Sequence, residues 1–319
     1  MVKLLTTKIQ FETMKKILFV ALAMMMAIGG RAESEKRNVG EFSKITLIGS
    51  CKVICTLGKD CSVVVEAPKE IAEQLQTEVK KGTLTISKKK IAGVNVISSD
   101  KENSKTTVYV TTPKLHDIKL IGSGDIIVKG KLTSDNGLTA TLSGSGDIEL
   151  DEVIANYTKF SLAGSGDIKV NSVKGMQTEL QLAGSGDMVV KNIDVDHAAI
   201  NLAGSGDMQV AAVKAASVVA VRLAGSGDMT IGKVDCKRLD ISQSSSGNMK
   251  VNDVKAVNTK VKKIGSGDLK IAGTTNTYGK IVHGYGKLSD SDLKYTKIEQ
   301  VISSQRAELL SPNGIEAQP

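Results

Sequence analysis

Tryptophan is absent from this chain of 319 residues, which holds only four phenylalanines and five tyrosines. A globular domain of this length ordinarily draws more aromatic volume into its core. The shortage points instead to a narrow core filled by Ile, Val, Leu and Met, and it removes the usual stacking platform for sugar rings. Cysteine is scarce as well: Cys51, Cys55, Cys61 and Cys236. No histidine and no second cysteine pair stands beside them, so the spacing is not a zinc signature. The three histidines, His116, His197 and His283, sit in no nucleophile pattern with serine or cysteine. Long apolar runs are missing too. Ile17–Ile28 falls short of the roughly 20 residues that a membrane-spanning helix needs, and no later segment is apolar enough to span.

Lys15 and Lys16 precede that apolar run, and Gly30-Arg31-Ala32 follows it with small residues at the −3 and −1 positions of a cut after Ala32. Basic, apolar and small residues in this order describe a secretory signal peptide over 1–32. Met14 is an alternative start, with 1–13 upstream of it. No cysteine lies near the cut to carry a lipid. The expectation is an exported chain, in the periplasm or at the cell surface. The formal charge of +8 is then misleading: beyond residue 32 there remain 37 of the 42 basic and 33 of the 34 acidic residues, a net of +4. That excess is too small to argue for nucleic acid. The lysines at 88–90 and 262–263 read as solvated faces. Export permits disulfides. Cys55 and Cys61 flank Gly58-Lys59-Asp60, a turn signal between two apolar runs. Two readings stand: a Cys55–Cys61 bridge across a hairpin, or thiols buried as small hydrophobes.

What the chain has in abundance is a repeat. Gly-Ser-Gly-Asp starts at Gly122, Gly144, Gly164, Gly184, Gly204, Gly225 and Gly265. Ser245-Ser246-Gly247-Asn248 is a degenerate copy, and Gly284-Tyr285-Gly286-Lys287 a further one. Successive spacings are 22, 20, 20, 20, 21, 20, 20 and 19 residues. Period-2 alternation runs through each copy. Leu180, Leu182, Gly184, Gly186, Met188 and Val190 share one face, and Gln181, Ala183, Ser185, Asp187 and Val189 the other. Such alternation marks half-buried strands. A unit of about 20 residues cannot bury its own apolar face, but stacked units bury all of them in one core. The fold class expected is all-β: a single-stranded parallel β-helix, right-handed, with about 20 residues per coil. Eight or nine coils about 4.8 Å apart give a rod of roughly 40 Å. The paired glycines of each unit (Gly122 and Gly124, Gly144 and Gly146, Gly164 and Gly166, Gly184 and Gly186, Gly204 and Gly206, Gly225 and Gly227, Gly265 and Gly267) are structural. They bring the backbone close to the axis or take positive φ at a corner.

Upstream, Ile45–Val53 aligns with Ile118–Ile126, each placing glycine after an alternating strand. The reading is therefore an N-terminal β part with a first coil over 33–115, coils over 116–295, and a tail or cap over 296–319. Residues 82–86 and 107–110 are strands, 69–79 is helix or strand, 98–105 a polar loop, and 288–305 the expected cap.

Four features in order carry a resemblance: Phe42-Ser43-Lys44-Ile45, the run Val79–Ser87, the run Val108–Leu115, and the Gly-Ser-Gly-Asp series. Together they resemble the head GIN domain family of auto-transporter adhesins, found in exported proteins of Bacteroidota. The resemblance spans about 39–290. It implies a β-helical fold and an adhesive or surface role, with no catalytic residues to carry over. The amphipathic strands of about ten residues that an autotransporter barrel needs are not found after the repeats.

In a β-helix, Asp125, Asp147, Asp167, Asp187, Asp207, Asp228 and Asp268 form an outward column. Neighbouring carboxylates about 4.8 Å apart repel by about 0.9 kcal/mol in water. Either N–H groups of the glycine-rich bend or a cation such as Ca²⁺ must offset this. Asn248 keeps an acceptor oxygen, and Lys52 and Lys287 hold the matching terminal places. That series suits a turn-forming role better than a metal column. No cofactor is expected. The near-constant interval leaves no large insertion between coils within 122–290, hence no deep pocket for catalysis. The function expected is a non-enzymatic binding scaffold or adhesin whose partner is a glycan or a cell-surface protein. Two competing readings are a carbohydrate-active enzyme on the same fold and a calcium-stabilised repeat protein.

Overall fold

The computed structural model describes residues 33–89 and 106–304. The signal peptide expected over 1–32 and the loop expected over 98–105 lie outside the described residues. The alternating stretches form strands, and each strand pairs in parallel with its equivalent about one repeat away. Tyr157–Leu162 pairs with Gln177–Leu182, which pairs in turn with His197–Leu202. The result is a β-solenoid of about nine turns with about 20 residues per coil. From Met188 onward each coil is one long bent strand: Met188–Leu202, Met208–Leu223, Met229–Ser244, Met249–Ile264 and Leu269–His283.

Stacking dictates the core. Each inward residue sits on the residue of the same position one coil away, so like packs on like. Ile148, Ile168, Met188, Met208, Met229 and Met249 make one such column. Leu142, Leu162, Leu182, Leu202 and Leu223 make another. All eleven are sealed from solvent. Phe160 is the aromatic residue that the middle of the stack encloses. The interior is aliphatic and narrow, as the composition implies.

Charged residues on the outside of such a stack also meet their equivalents. One outer column reads Lys174, Asp194, Lys214, Asp235, Lys255, with the sign changing at every coil. Opposite charges on adjacent strands attract and like charges repel. Lys174 also pairs with Glu152 at 2.9 Å, which raises its pKa above the ordinary lysine value.

At the N-terminal end, order in space departs from order in sequence. Lys44–Gly49 and Lys52–Leu57 precede their neighbours in the chain but lie between them in space. Lys44–Gly49 lies between Thr83–Lys88 and Asp117–Gly122, and Lys52–Leu57 lies between Thr107–Thr112 and Asp125–Ser134. The alignment of Ile45 with Ile118 and Val53 with Ile126 is the observed register. Below the outermost layer, Ser62–Ala67 runs antiparallel to Thr107–Thr112, and Leu75–Lys80 antiparallel to Thr83–Lys88. The helix Lys69–Gln74 joins these two strands and buries Ala72, so residues 69–79 are helix first and strand after.

Three expectations change here. The Cys55–Cys61 hairpin does not form, because Thr107–Thr112 lies between the two strands. Two strand spacings are about 9.6 Å, beyond the reach of a disulfide of about 7 Å between Cα atoms. All four thiols are free. Burial pushes Cys51 and Cys55 up to about 12 and Cys236 up to about 11, so these three are inert as nucleophiles at neutral pH. Second, Leu293–Ser304 pairs in parallel with Gly273–His283. The segment expected as a cap adds a further coil, and the boundary after 295 falls inside its strand. Third, the strands either side of 115 share one sheet, so that boundary separates no structural units.

Candidate functional site

The corner of each coil holds the repeat, and its geometry explains the glycines. A Cβ built on Gly186 would lie 1.9 Å from the carbonyl oxygen of Gly166, and one on Gly184 2.0 Å from that of Gly164. The same clash recurs in neighbouring coils, with Gly146 and Gly166 each within 1.8 Å of a backbone oxygen below. Of the two roles expected for glycine, close backbone approach is the general one. Positive φ occurs at the end copies, including Gly122, Gly265 and Gly284.

The aspartates follow from a count of amides at that corner. In a regular parallel strand, N–H groups point alternately to the two neighbours. Here Ser185, Gly186 and Asp187 all point back to the preceding coil. Ser185 and Gly186 share the carbonyl oxygen of Gly164, at 2.9 and 3.2 Å. The third amide finds no backbone oxygen, because the carbonyl of Asp167 already faces the other way and accepts from Ile148. Asp187 N–H therefore donates to Oδ1 of Asp167, at 3.1 Å. The pattern repeats from Asp147, which donates to Asp125, through Asp167, Asp207 and Asp228, to Asn248, which donates to Asp228. Each carboxylate thus serves the coil that follows it and not its own turn, which corrects the location expected for its bonds.

The exceptions obey the same rule. Asn248 accepts from Asp268 N–H at 3.0 Å through its side-chain oxygen. Lys287 donates its N–H to Asp268 at 2.7 Å and closes the described ladder. At the first coil Asp125 N–H reaches the carbonyl oxygen of Cys51, so Lys52 needs no acceptor. An acceptor side chain appears where an amide needs one. Among the described residues no group of three or more His, Cys, Asp or Glu side chains is placed to hold a metal ion. The histidines stay apart: His197 stands four coils beyond His116, along the register Asp117, Thr139, Lys159, Glu179, Ala199.

Sequence reasoning missed one buried polar cluster. In the inward leucine column, Leu223 is followed by Gln243 and then Lys263. Both are fully buried, although Lys262 beside them is exposed. Ser245 replaces the first corner glycine of this copy, and its Oγ donates to the carbonyl of Gly247. Gln243 Nε2 donates to Gly247 and Asp268 carbonyls at 2.7 and 3.2 Å, and Lys263 Nζ to Gly265 at a long 3.4 Å. Burial lowers the Lys263 pKa, with the nearby Asp268 opposing. The unfolded chain then binds more protons than the folded one between the lowered value and the ordinary lysine value of about 10.4. Stability should rise with pH across that window. Lys263→Met should remove the slope and stabilise the fold at pH 7 by about 1–3 kcal/mol, as apolar replacement of buried charge often does. Melting curves at several pH values test both.

A depression of about 770 Å³ lies over the strand segments 218–223, 238–243, 258–263 and 277–282, lined by Ala220, Ser242 and Gly279 together with Arg222, Lys260 and Lys262. Asp240 lies in it, held by Arg238 at 2.6 Å, and so does Lys280, held by Asp290 at 2.7 Å.

Stacked coils, a glycine corner and a ladder of side-chain acceptors define a parallel β-solenoid. Residues 41–231 and 211–308 match the family described as "Putative auto-transporter adhesin, head GIN domain", and the chain belongs to that family. No curated protein matches it. Among solved structures, a "putative adhesin" from Parabacteroides distasonis is 20% identical, with a TM-score of 0.56 over 82% of this chain and 97% of that one. A "Putative lipid binding protein" from the same species is also 20% identical, with a TM-score of 0.54 over 86% and 98%. These likenesses show the shared fold.

Proposed function

We propose that the protein is exported and acts, without catalysis, as an adhesin-like binding scaffold at the cell surface or in the periplasm. The observation that carries this reading is the unbroken stacking of coils. From 122 to 287 no loop is inserted between coils, so the outer columns form continuous faces. Such faces suit recognition of an extended, repetitive partner, a glycan or a cell-surface protein. A polysaccharide-cleaving enzyme needs a cleft with paired carboxylates. The depression described above holds Asp240, already committed to Arg238, and Glu299.

The test uses the chain from Glu33 immobilised on beads, exposed to an array of neutral and acidic polysaccharides and to intact bacterial cells. Saturable retention with no release of reducing ends or unsaturated sugars is the expected result. Cleavage products, or no retention on any polysaccharide or cell, overturn the reading.

A further inference from the structure

We infer that the depression around Arg222, Lys260 and Lys262 is a binding site for an acidic glycan, one that carries carboxylates among its hydroxyls. The inference rests on the scaffold reading above and names its ligand class. Three observations carry it. First, the cations are placed for one ligand. Arg222, Ser242 and Lys262 occupy the same position on three successive coils, so the backbone positions of the two cations are about 9.6 Å apart. Lys260 lies two residues from Lys262 on the same side of its strand. All three are exposed, and none has an ion-pair partner among the described residues.

Second, small residues line part of the hollow, with Ser242 standing between Arg222 and Lys262. Ala220 and Gly279 flank Asp240 and Lys260 in the adjoining column. A ligand can therefore lie against the sheet while the long cationic side chains reach over it. The volume is within the range of small-ligand sites, about 300–1,000 Å³.

Third, the polar lining is mixed. Ser242, the Oδ1 of Asp240 that Arg238 does not engage, and Glu299 supply acceptors beside the cations. Sugar hydroxyls need such acceptors, and a uronate carboxylate needs the guanidinium and ammonium groups. The same mixture argues against two other anionic partners. Single-stranded nucleic acid is held by stacked aromatics, which this lining lacks, and its phosphates would meet Asp240 and Glu299. Membrane-docking surfaces drive apolar side chains into the interface, whereas this surface is concave and edged by charge.

The experiment titrates the chain from Glu33 with polygalacturonate oligomers and, in parallel, with a neutral galactan. The expected results are binding of the uronate polymer alone and weakening as NaCl rises. The double variant Arg222→Gln/Lys262→Gln should bind about tenfold or more weakly, the equivalent of one strong charged contact. Lys250→Gln, a cation on another face, should bind as wild type, and the melting temperatures of all forms should agree. Polyuronate binding that ignores the double variant overturns the proposal. So does Arg222-dependent binding of phosphatidylglycerol vesicles or single-stranded oligonucleotide in place of the glycan. If neutral glycans or cells are retained independently of Arg222 and Lys262, this site falls and the scaffold reading stands. If no glycan and no cell is retained, both fall.

Discussion

Gly186→Ala should cost at least about 3 kcal/mol, or prevent folding, although it adds a single methyl group. The new Cβ would sit 1.9 Å from the carbonyl oxygen of Gly166 and 2.7 Å from the carbonyl carbon of Ser165. Those atoms are backbone, held by the ladder on both sides, and cannot swing aside as a side chain would. Overpacking a core side chain typically costs about 1–3 kcal/mol because rotamers relax. Here the coil spacing itself would have to open, and the hydrogen bonds of Ser185 and Gly186 to Gly164 with it. The matched control is Gly40→Ala, where nothing lies within 4 Å of the added atom. That exposed substitution should stay within about 0.5 kcal/mol. Denaturant unfolding of both variants checks the contrast. Equal, small effects would mean that the corner has slack and that glycine is there for another reason. Because stability in a stacked-repeat protein is the sum of units and their interfaces, the lesion should first show as local opening around the corners at Gly164–Asp167 and Gly184–Asp187. Amide exchange there would precede global unfolding.

The glycine clash is visible only in three dimensions, yet the spacing that produces it is written in the chain. A period near 20 with alternation through Leu180, Leu182, Gly184, Gly186 and Met188 suffices to name a solenoid and to sort inward from outward residues. It also places Ile45 over Ile118, because register in a stack is alignment in sequence. The parts not legible share one property: they depend on which neighbour lies on which side. Thr107–Thr112 intervenes between the strands of Cys55 and Cys61, and no local pattern announces that a later segment will slip beneath an earlier one. The direction of the amides of Ser185, Gly186 and Asp187 is likewise a property of the backbone between strands. Reading the aspartates as acceptors within their own turn chose the right kind of bond but the wrong coil. Lys263 is different, since its position was available. It lies twenty residues beyond Gln243 and forty beyond Leu223, in the inward phase of the alternation, but a lysine doublet suggests a solvated surface.

Replacing Asp187, Asp207 and Asp228 together by alanine should cost about 3 kcal/mol, whereas the triple asparagine variant should lie within about 1 kcal/mol of the natural sequence. Alanine leaves three amides, those of residues 207, 228 and 248, without the Oδ1 acceptors they now have at 2.9, 2.8 and 2.7 Å. These acceptors resemble the side-chain caps of helix ends, each worth about 1 kcal/mol at a partly solvated site. Asparagine keeps the oxygen, as Asn248 does for Asp268, and relieves the repulsion of about 0.9 kcal/mol between stacked carboxylates. Salt separates the two contributions. Added NaCl should raise the melting temperature of the natural chain by screening that repulsion, and should do less for the asparagine variant. Calcium and EDTA should leave the natural chain's melting temperature unchanged, because one oxygen of each aspartate is spent on the next coil's amide. A rise with calcium that the asparagine variant loses would make the column a metal site. An alanine variant as stable as the asparagine one would mean that water satisfies the three amides and that the aspartates serve some purpose outside the fold.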